Sequence, residues 1–287
     1  MSRIYIRETG EYKEITQFGQ GALKFLYENF FGRVLLRIAV SPIVSDLYRI
    51  KNSTRKSAEK IPVFIEENDI RMEDFEDREY TSFNDFFTRK IRKEARPIES
   101  DEKRLISPAD SKLLVYNIDE ETRITVKGRD YTLDEILGDR IDATEFAGGI
   151  CLVYRLCMDD YHRYCFIDDG RLKKRYRIKG KLHTVSPVSK DHKIYKENAR
   201  VVSLFDTVNF DRVVHIEVGA LLVGRIVNTD ARVFLKGEEK GYFEPGGSTI
   251  VQILKKGIIQ IDEDILKESN EGTETAVKYG EGVGTRC

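Results

Sequence analysis

The spacing of apolar residues divides the chain into two unlike parts. Between Phe18 and Lys60, apolar positions such as Phe25, Leu26, Phe30, Phe31, Val34, Leu35, Ile38, Val40, Ile43 and Leu47 are interleaved with charges, as in amphipathic helices. Ser82-Phe83-Asn84-Asp85 has the form of a capping box, Phe86, Phe87 and Ile91 follow at helical spacing, and Arg96-Pro97 stops that helix. The first hundred residues therefore read as mainly helical. Beyond them the pattern changes to short runs of β-type residues: Lys112 to Tyr116, Arg123 to Lys127, Ile150 to Leu156, Arg163 to Ile167, Val213 to Val218, Leu221 to Val227 and Thr249 to Leu254. Asp169-Gly170, Lys179-Gly180, Lys236-Gly237 and Gly246-Gly247 mark turns between them. The expectation is an α+β protein, with a helical N-terminal part packed on an antiparallel-rich β core, divided into a helical segment at 1–75 and a β-rich domain at 76–287.

Charge sharpens the reading of the front segment. Over the whole chain 48 Lys and Arg nearly balance 49 Asp and Glu, so no global field points to a nucleic acid partner. From Phe18 to Lys60, however, Lys24, Arg33, Arg37, Arg49, Lys51, Arg55, Lys56 and Lys60 face only Glu28, Asp46 and Glu59. The longest uncharged stretch there, Ile38 to Ser45, is far shorter than the ~20 apolar residues a spanning helix needs. Two readings remain open: a basic, apolar segment lying in the headgroup plane of an anionic leaflet, or an ordinary helix pair packed on the core. Met1 to Glu8 lack the apolar run of a secretory signal, so a cytoplasmic location is expected. The cysteines Cys151, Cys157, Cys165 and Cys287 have no CxxC spacing, which suggests reduced thiols, with neither a disulfide framework nor a metal site.

The segment richest in chemistry is Glu244-Pro245-Gly246-Gly247-Ser248-Thr249. Pro245 fixes its φ and the two glycines open backbone conformations closed to other residues, so the Gly247 carbonyl can turn towards the Ser248 hydroxyl. Attack by that hydroxyl gives an ester; β-elimination then breaks the chain after Gly247 and leaves a dehydroalanine that hydrolyses to a pyruvoyl group. Taken alone, these letters more often mark a tight turn.

Other motifs accompany it in a fixed order: Phe83-Asn84-Asp85-Phe86-Phe87-Thr88-Arg89 with Arg96-Pro97-Ile98, Ser107-Pro108-Ala109-Asp110, Asp160-Tyr161-His162-Arg163, Thr184-Val185-Ser186-Pro187, Val218-Gly219-Ala220 with Val223-Gly224, and Lys236-Gly237-Glu238-Glu239-Lys240-Gly241-Tyr242-Phe243 leading into Ser248. From about Phe83 to the tail Val277-Lys278-Tyr279-Gly280-Glu281, this series resembles the phosphatidylserine decarboxylase family. Each motif is weak by itself; their order is specific.

The resemblance implies a self-cleaving decarboxylase whose fragments, 1–247 and 248–287, stay together as a heterodimer open to higher assembly. Its cofactor would be the pyruvoyl group made from Ser248, which forms a Schiff base with the substrate amine and accepts the electrons released with carbon dioxide. The substrate would be phosphatidylserine, the product phosphatidylethanolamine, and the place of work the cytoplasmic face of the cell membrane, held peripherally. Asp110 would orient or charge a histidine base, His162 would transfer protons during decarboxylation, and Ser248 would be first nucleophile and then cofactor.

One position departs from the family pattern. Where much of the family has a second histidine three positions after the first, the base for self-cleavage, this chain has Cys165, and a neutral thiol is a poor base at pH 7. His183, beside the Thr184 motif, and His162 serving both steps are the two candidates. His192 reads as solvated and His215 as a packed strand residue. Two alternatives to the phospholipid reaction stay open: a pyruvoyl decarboxylase of another serine headgroup or amine, and a non-catalytic membrane-surface binding protein, for which Cys165 is the hint.

Overall fold

The computed structural model describes residues 2–15, 20–126, 128–185, 192–221, 225–246 and 248–287. Gly247, Ser186, Pro187, Val223, Gly224 and Lys127 lie outside them, as does part of each motif that contains these residues.

A ten-stranded sheet organises the protein. In spatial order its strands are Val233–Phe234, Gly170–Ile178, Arg200–Thr207, Arg212–Val218, Ser248–Leu254, Ile150–Leu156, Ser111–Asn117, Glu274–Val277, Ser2–Ile6 and Glu11–Ile15. Neighbours are antiparallel except Ser2–Ile6 beside Glu274–Val277. The strand Ser248–Leu254 is central and every residue in it is buried, which is why it reads as a near-continuous apolar run without alternation. A smaller sheet, Ile226–Asn228, Glu239–Phe243 and Arg163–Cys165, completes the region around it. This α+β architecture, with its helices gathered towards the N-terminus, is the fold class the sequence predicts.

Alternation along the strands fixes which groups share a face. Ser248, Ile250 and Gln252 point to one side, opposite Leu156, Tyr154 and Leu152 on one neighbour. On the other neighbour, Glu217 and His215 stand opposite Ile250 and Gln252. The small sheet covers this side: its Lys240 bonds Glu217, and its Tyr164 ring lies 6.2 Å from that of His215.

Two local expectations change. Residues 2–15, read as part of a helical front, form a hairpin on the sheet edge, because Ser2–Ile6 pairs with a strand from the far end of the chain. The helix predicted from Ser82 has its cap, with Ser82 Oγ accepting the Asp85 N–H at 3.2 Å, but it spans only Phe83–Phe87. It ends as the chain turns to bury the Arg89 guanidinium against the rings of Phe75 and Phe86, at 4.3 and 4.6 Å.

Five α-helices precede the β core: α1 (Gln20–Glu28), α2 (Phe30–Ala39), α3 (Pro42–Asn52), α4 (Ile61–Glu67) and α5 (Phe83–Phe87). Asn29 and Ser41 cap α2 and α3 with their side-chain oxygens, and Pro42 occupies the first turn of α3. Gly32 lets α1 and α2 meet, since a Cβ there would sit 1.9 Å from the Phe25 carbonyl oxygen. Tyr27, Leu36 and Val40 pack inward with Leu221. Phe30, Phe31, Val34, Leu35, Ile38, Ile43, Leu47 and Ile50 remain more than half exposed. Among the described residues, no helix is long and apolar enough to cross a membrane.

Candidate active site

Ser248 opens the central strand immediately after the turn at Pro245 and Gly246. Gly246 has φ 140°, in the region that favours glycine. Ser248 is fully buried, and its Oγ has no hydrogen-bond partner among the described residues. An orphaned buried hydroxyl costs on the order of 1–3 kcal/mol, and such groups gather where chemistry is done. The donor set also suits the group the resemblance implies: a serine oxygen without a hydrogen-bond partner among the described residues can become a pyruvoyl without first breaking an existing hydrogen bond.

His162 is carried to this end of the sheet by a backbone bond. The Phe243 N–H, from the strand leading into the turn, donates to the His162 carbonyl at 2.9 Å. The imidazole is buried, tilted against the Phe87 ring with centroids 4.2 Å apart. Its Nδ1 lies 2.8 Å from the Asp160 carbonyl oxygen, which places the proton on Nδ1 and leaves Nε2 as a lone pair. Nε2 has no partner among the described residues. Burial pushes the imidazole down to about 4, against the Asp160 bond and helped by nearby Arg89, so the ring is neutral at pH 7 and able to accept a proton.

Asp110 stands elsewhere in the network. Its carboxylate accepts from Arg96 Nε and Nη2, at 2.9 and 2.7 Å, and from the Tyr279 N–H at 2.8 Å. None of the four histidines, all among the described residues, is its hydrogen-bond partner. Cys165 Sγ is 3.9 Å from the Ser107 carbonyl oxygen and lies beside the Tyr279 hydroxyl. Tyr279 therefore stands between Asp110 and Cys165. Burial pushes the Cys165 thiol up to about 12, so it stays protonated.

His183 is buried and tied to the end of the neighbouring strand. Asn198 Nδ2 donates to the carbonyls of His183 and Gly219, at 2.7 and 2.8 Å, and Gly219 follows Val218, the partner of Thr249. The His183 ring faces Tyr27, His192 and Glu197. His192, expected in solvent, stacks on it. His215 is a buried strand residue, with Nε2 3.3 Å from Glu217 Oε1 and Nδ1 3.3 Å from Gln252 Nε2.

Three features near Ser248 escape sequence reasoning. Glu244 is nearly buried and meets Arg49 of α3, Nε to Oε2 at 3.7 Å; burial raises its carboxyl while Arg49 and Arg225 oppose the rise. The Tyr154 hydroxyl, next along the face from Leu156, is buried without a hydrogen-bond partner among the described residues. The pair Lys240–Glu217 lies fully buried, with Lys240 also 2.5 Å from Asn228 Oδ1. Burial lowers the Lys240 ammonium, whereas Lys240 and His215 outweigh burial at Glu217 and hold its carboxyl below the usual range.

Known proteins resolve the family. A sequence profile described as phosphatidylserine decarboxylase matches residues 83–285, most of the chain. The chain belongs to the phosphatidylserine decarboxylase family. It is 50% identical over 283 residues to phosphatidylserine decarboxylase proenzyme 2 of Clostridium acetobutylicum, covering 98% of this chain and 97% of that one. It is 41% identical to the phosphatidylserine decarboxylase proenzyme of Clostridium beijerinckii, over 100% and 99% of the two chains. A similar proenzyme from Clostridium botulinum strain Langeland is 40% identical over the full length of both. These relatives match along their whole length, front helices included, and the word proenzyme in their names describes proteins made in a longer form.

Proposed function

We propose that this member of the phosphatidylserine decarboxylase family cuts itself between Gly247 and Ser248 and then decarboxylates phosphatidylserine to phosphatidylethanolamine. The observation that carries the proposal is the buried, unpartnered Ser248 hydroxyl at the end of a glycine turn, with the free Nε2 of His162 brought to the same end of the sheet. His162 Nε2 takes the hydroxyl proton as Ser248 Oγ attacks the carbonyl carbon before it, and gives it to the Ser248 nitrogen as the C–N bond between residues 247 and 248 breaks, leaving an ester and a free amine. The ester then loses the Cα proton of residue 248, the carboxylate of the upstream piece leaves, and water releases ammonia from the new end. Asp110 supports the fold of this region through Arg96 and Tyr279. His183 remains the second candidate for the base, since it too is buried and neutral, pushed down to about 4 by burial.

The pyruvoyl group supplies an electron sink for the pair released when carbon dioxide leaves. The chain supplies the rest. Leu156, opposite residue 248 in the sheet, helps keep that end buried, and His162 Nε2, packed on Phe87, would hold the proton that returns to the product. Fragments 1–247 and 248–287 stay together after cleavage, because Ser248–Leu254 is hydrogen-bonded on both edges to strands of the larger piece.

The exposed apolar residues of α2 and α3, with Arg33, Arg37 and Lys51 beside them, fit an anionic lipid surface on the cytoplasmic side. Arg49 ties α3 to Glu244, four residues before Ser248, which would bring the headgroup of a bound lipid towards the site. The test is release of labelled carbon dioxide from vesicles of phosphatidylserine labelled in the serine carboxyl. Release that is abolished by borohydride treatment of the protein with substrate supports the proposal; borohydride-resistant release, or none from cleaved protein, overturns it.

A further inference from the structure

A cluster outside this chemistry has the donors and spacing of a metal centre. His183 Nε2 lies 3.6 Å from Glu197 Oε2, and His192 Nδ1 lies 3.8 Å from the same oxygen. One ligand atom from each of the three residues falls within 4.8 Å of the others. Zinc bonds of ~2.0–2.2 Å to nitrogen and oxygen in tetrahedral geometry separate ligand atoms by roughly 3.2–3.6 Å, so each histidine stands close to that spacing from Glu197, and the two imidazole nitrogens, within 4.8 Å of each other, close on binding.

The surroundings hold the donors in place. His183 is nine-tenths buried or more, and its Nε2 has no hydrogen-bond partner among the described residues. Its Nδ1 is 3.3 Å from the Tyr27 hydroxyl, whose oxygen also accepts the Thr184 N–H at 2.9 Å. When the hydroxyl oxygen accepts the Nδ1–H, it serves as the outer partner that orients a ligating histidine and leaves Nε2 for the ion. Glu197 accepts the Lys193 N–H on Oε1 at 3.1 Å, which leaves Oε2 turned to the histidines. The His183 and His192 rings stack 3.9 Å apart at 20°, and the His192 side chain is about one-third exposed, so a shared ion requires the His192 ring to rotate out of the stack. The other group of such residues, Cys157, Asp159 and Asp160, is less suited: Lys112 holds Asp160 and Arg155 reaches the Cys157 sulfur.

We propose that His183, His192 and Glu197 bind a divalent transition metal of the zinc type, with a fourth position open to solvent. Two imidazoles and one carboxylate suit zinc over magnesium or calcium. Through Tyr27 the ion would fasten α1, which packs on α2, to the domain that carries Ser248.

The test uses the full-length, tag-free protein, stripped with chelator and titrated with Zn²⁺ and, for a visible ligand-field band, with Co²⁺. About one equivalent should bind, and the Co²⁺ band should have the intensity of a four- or five-coordinate site. His192→Ala and Glu197→Gln should each weaken Zn²⁺ binding at least about tenfold, while the circular dichroism spectrum and the urea midpoint measured without metal stay unchanged, so that loss of metal is not loss of fold. Retained Zn²⁺ affinity in both variants, or no stoichiometric binding by the unaltered protein, overturns the proposal. His192 has no part in the cleavage scheme, so this outcome is independent of whether the chain proves to be a decarboxylase.

Discussion

The backbone N–H of Phe243 and the carbonyl of His162 are joined by a 2.9 Å hydrogen bond. It ties the Asp160-Tyr161-His162-Arg163 motif to the strand that leads into Ser248. Because Nδ1 is engaged by the Asp160 carbonyl, the imidazole offers one basic atom, and it is buried at the same end of the sheet as the serine.

His162→Ala should therefore slow self-cleavage by ~10²–10⁴-fold, the usual contribution of a positioned base. His183→Ala should cleave within a few-fold of the natural rate. Gel and mass time courses of freshly made protein measure both. The reverse order would move the base to His183.

The acid limb of self-cleavage should lie near pH 4. Burial holds the His162 imidazole at about 4, against an ordinary value near 6.5, so Nε2 keeps its lone pair down to about pH 5. The same shift couples to stability. Between about pH 4 and 6.5 the unfolded chain binds this proton and the folded one does not, so the contribution is complete above 6.5 and is lost as pH falls towards 4. A cleavage rate that halves near pH 6.5 would contradict a buried neutral base.

Cys165→Ser should leave cleavage unchanged within a few-fold. The thiol is pushed up to about 12 and cannot supply a thiolate at neutral pH. Loss of cleavage in a folded Cys165→Ser protein would make the sulfur a participant.

Lys240→Met should destabilise the protein by ~3–5 kcal/mol, because it leaves Glu217 buried without its cation. Urea unfolding measures this. A loss below ~1 kcal/mol would mean that Glu217 is satisfied by His215 and Asn228 alone.

Reversing Arg33, Arg37 and Lys51 to Glu should cut sedimentation with anionic vesicles at least about tenfold, since each cation near such a surface is worth ~1 kcal/mol. Unchanged sedimentation would leave the exposed faces of α2 and α3 without a lipid role.

Legibility in the sequence followed burial only in part, since Arg200–Thr207, with its first six residues buried, is not among the expected strands. Ile150–Leu156 and Ser248–Leu254 are buried along nearly their whole length, so their apolar runs stand out. Gly170–Ile178 was not legible, because most of its residues are only partly buried or exposed and its lysines and arginines hide the alternation. Ser2–Ile6 is a strand through its pairing with Glu274–Val277, a contact that no local window contains. At the site, Pro245, Gly246 and Ser248 announce a special turn by residue type. The Arg49–Glu244 pair, the orphan hydroxyl of Tyr154 and the stack of His183 on His192 arise from tertiary folding, and nothing in the adjoining residues signals them.

Intact mass of purified, folded protein tests the central claim most directly. The account predicts two pieces of 247 and 40 residues, the smaller with a ketone in place of its amino terminus, and one uncut chain for Ser248→Ala. A single chain of 287 residues with an ordinary serine at position 248 would contradict it.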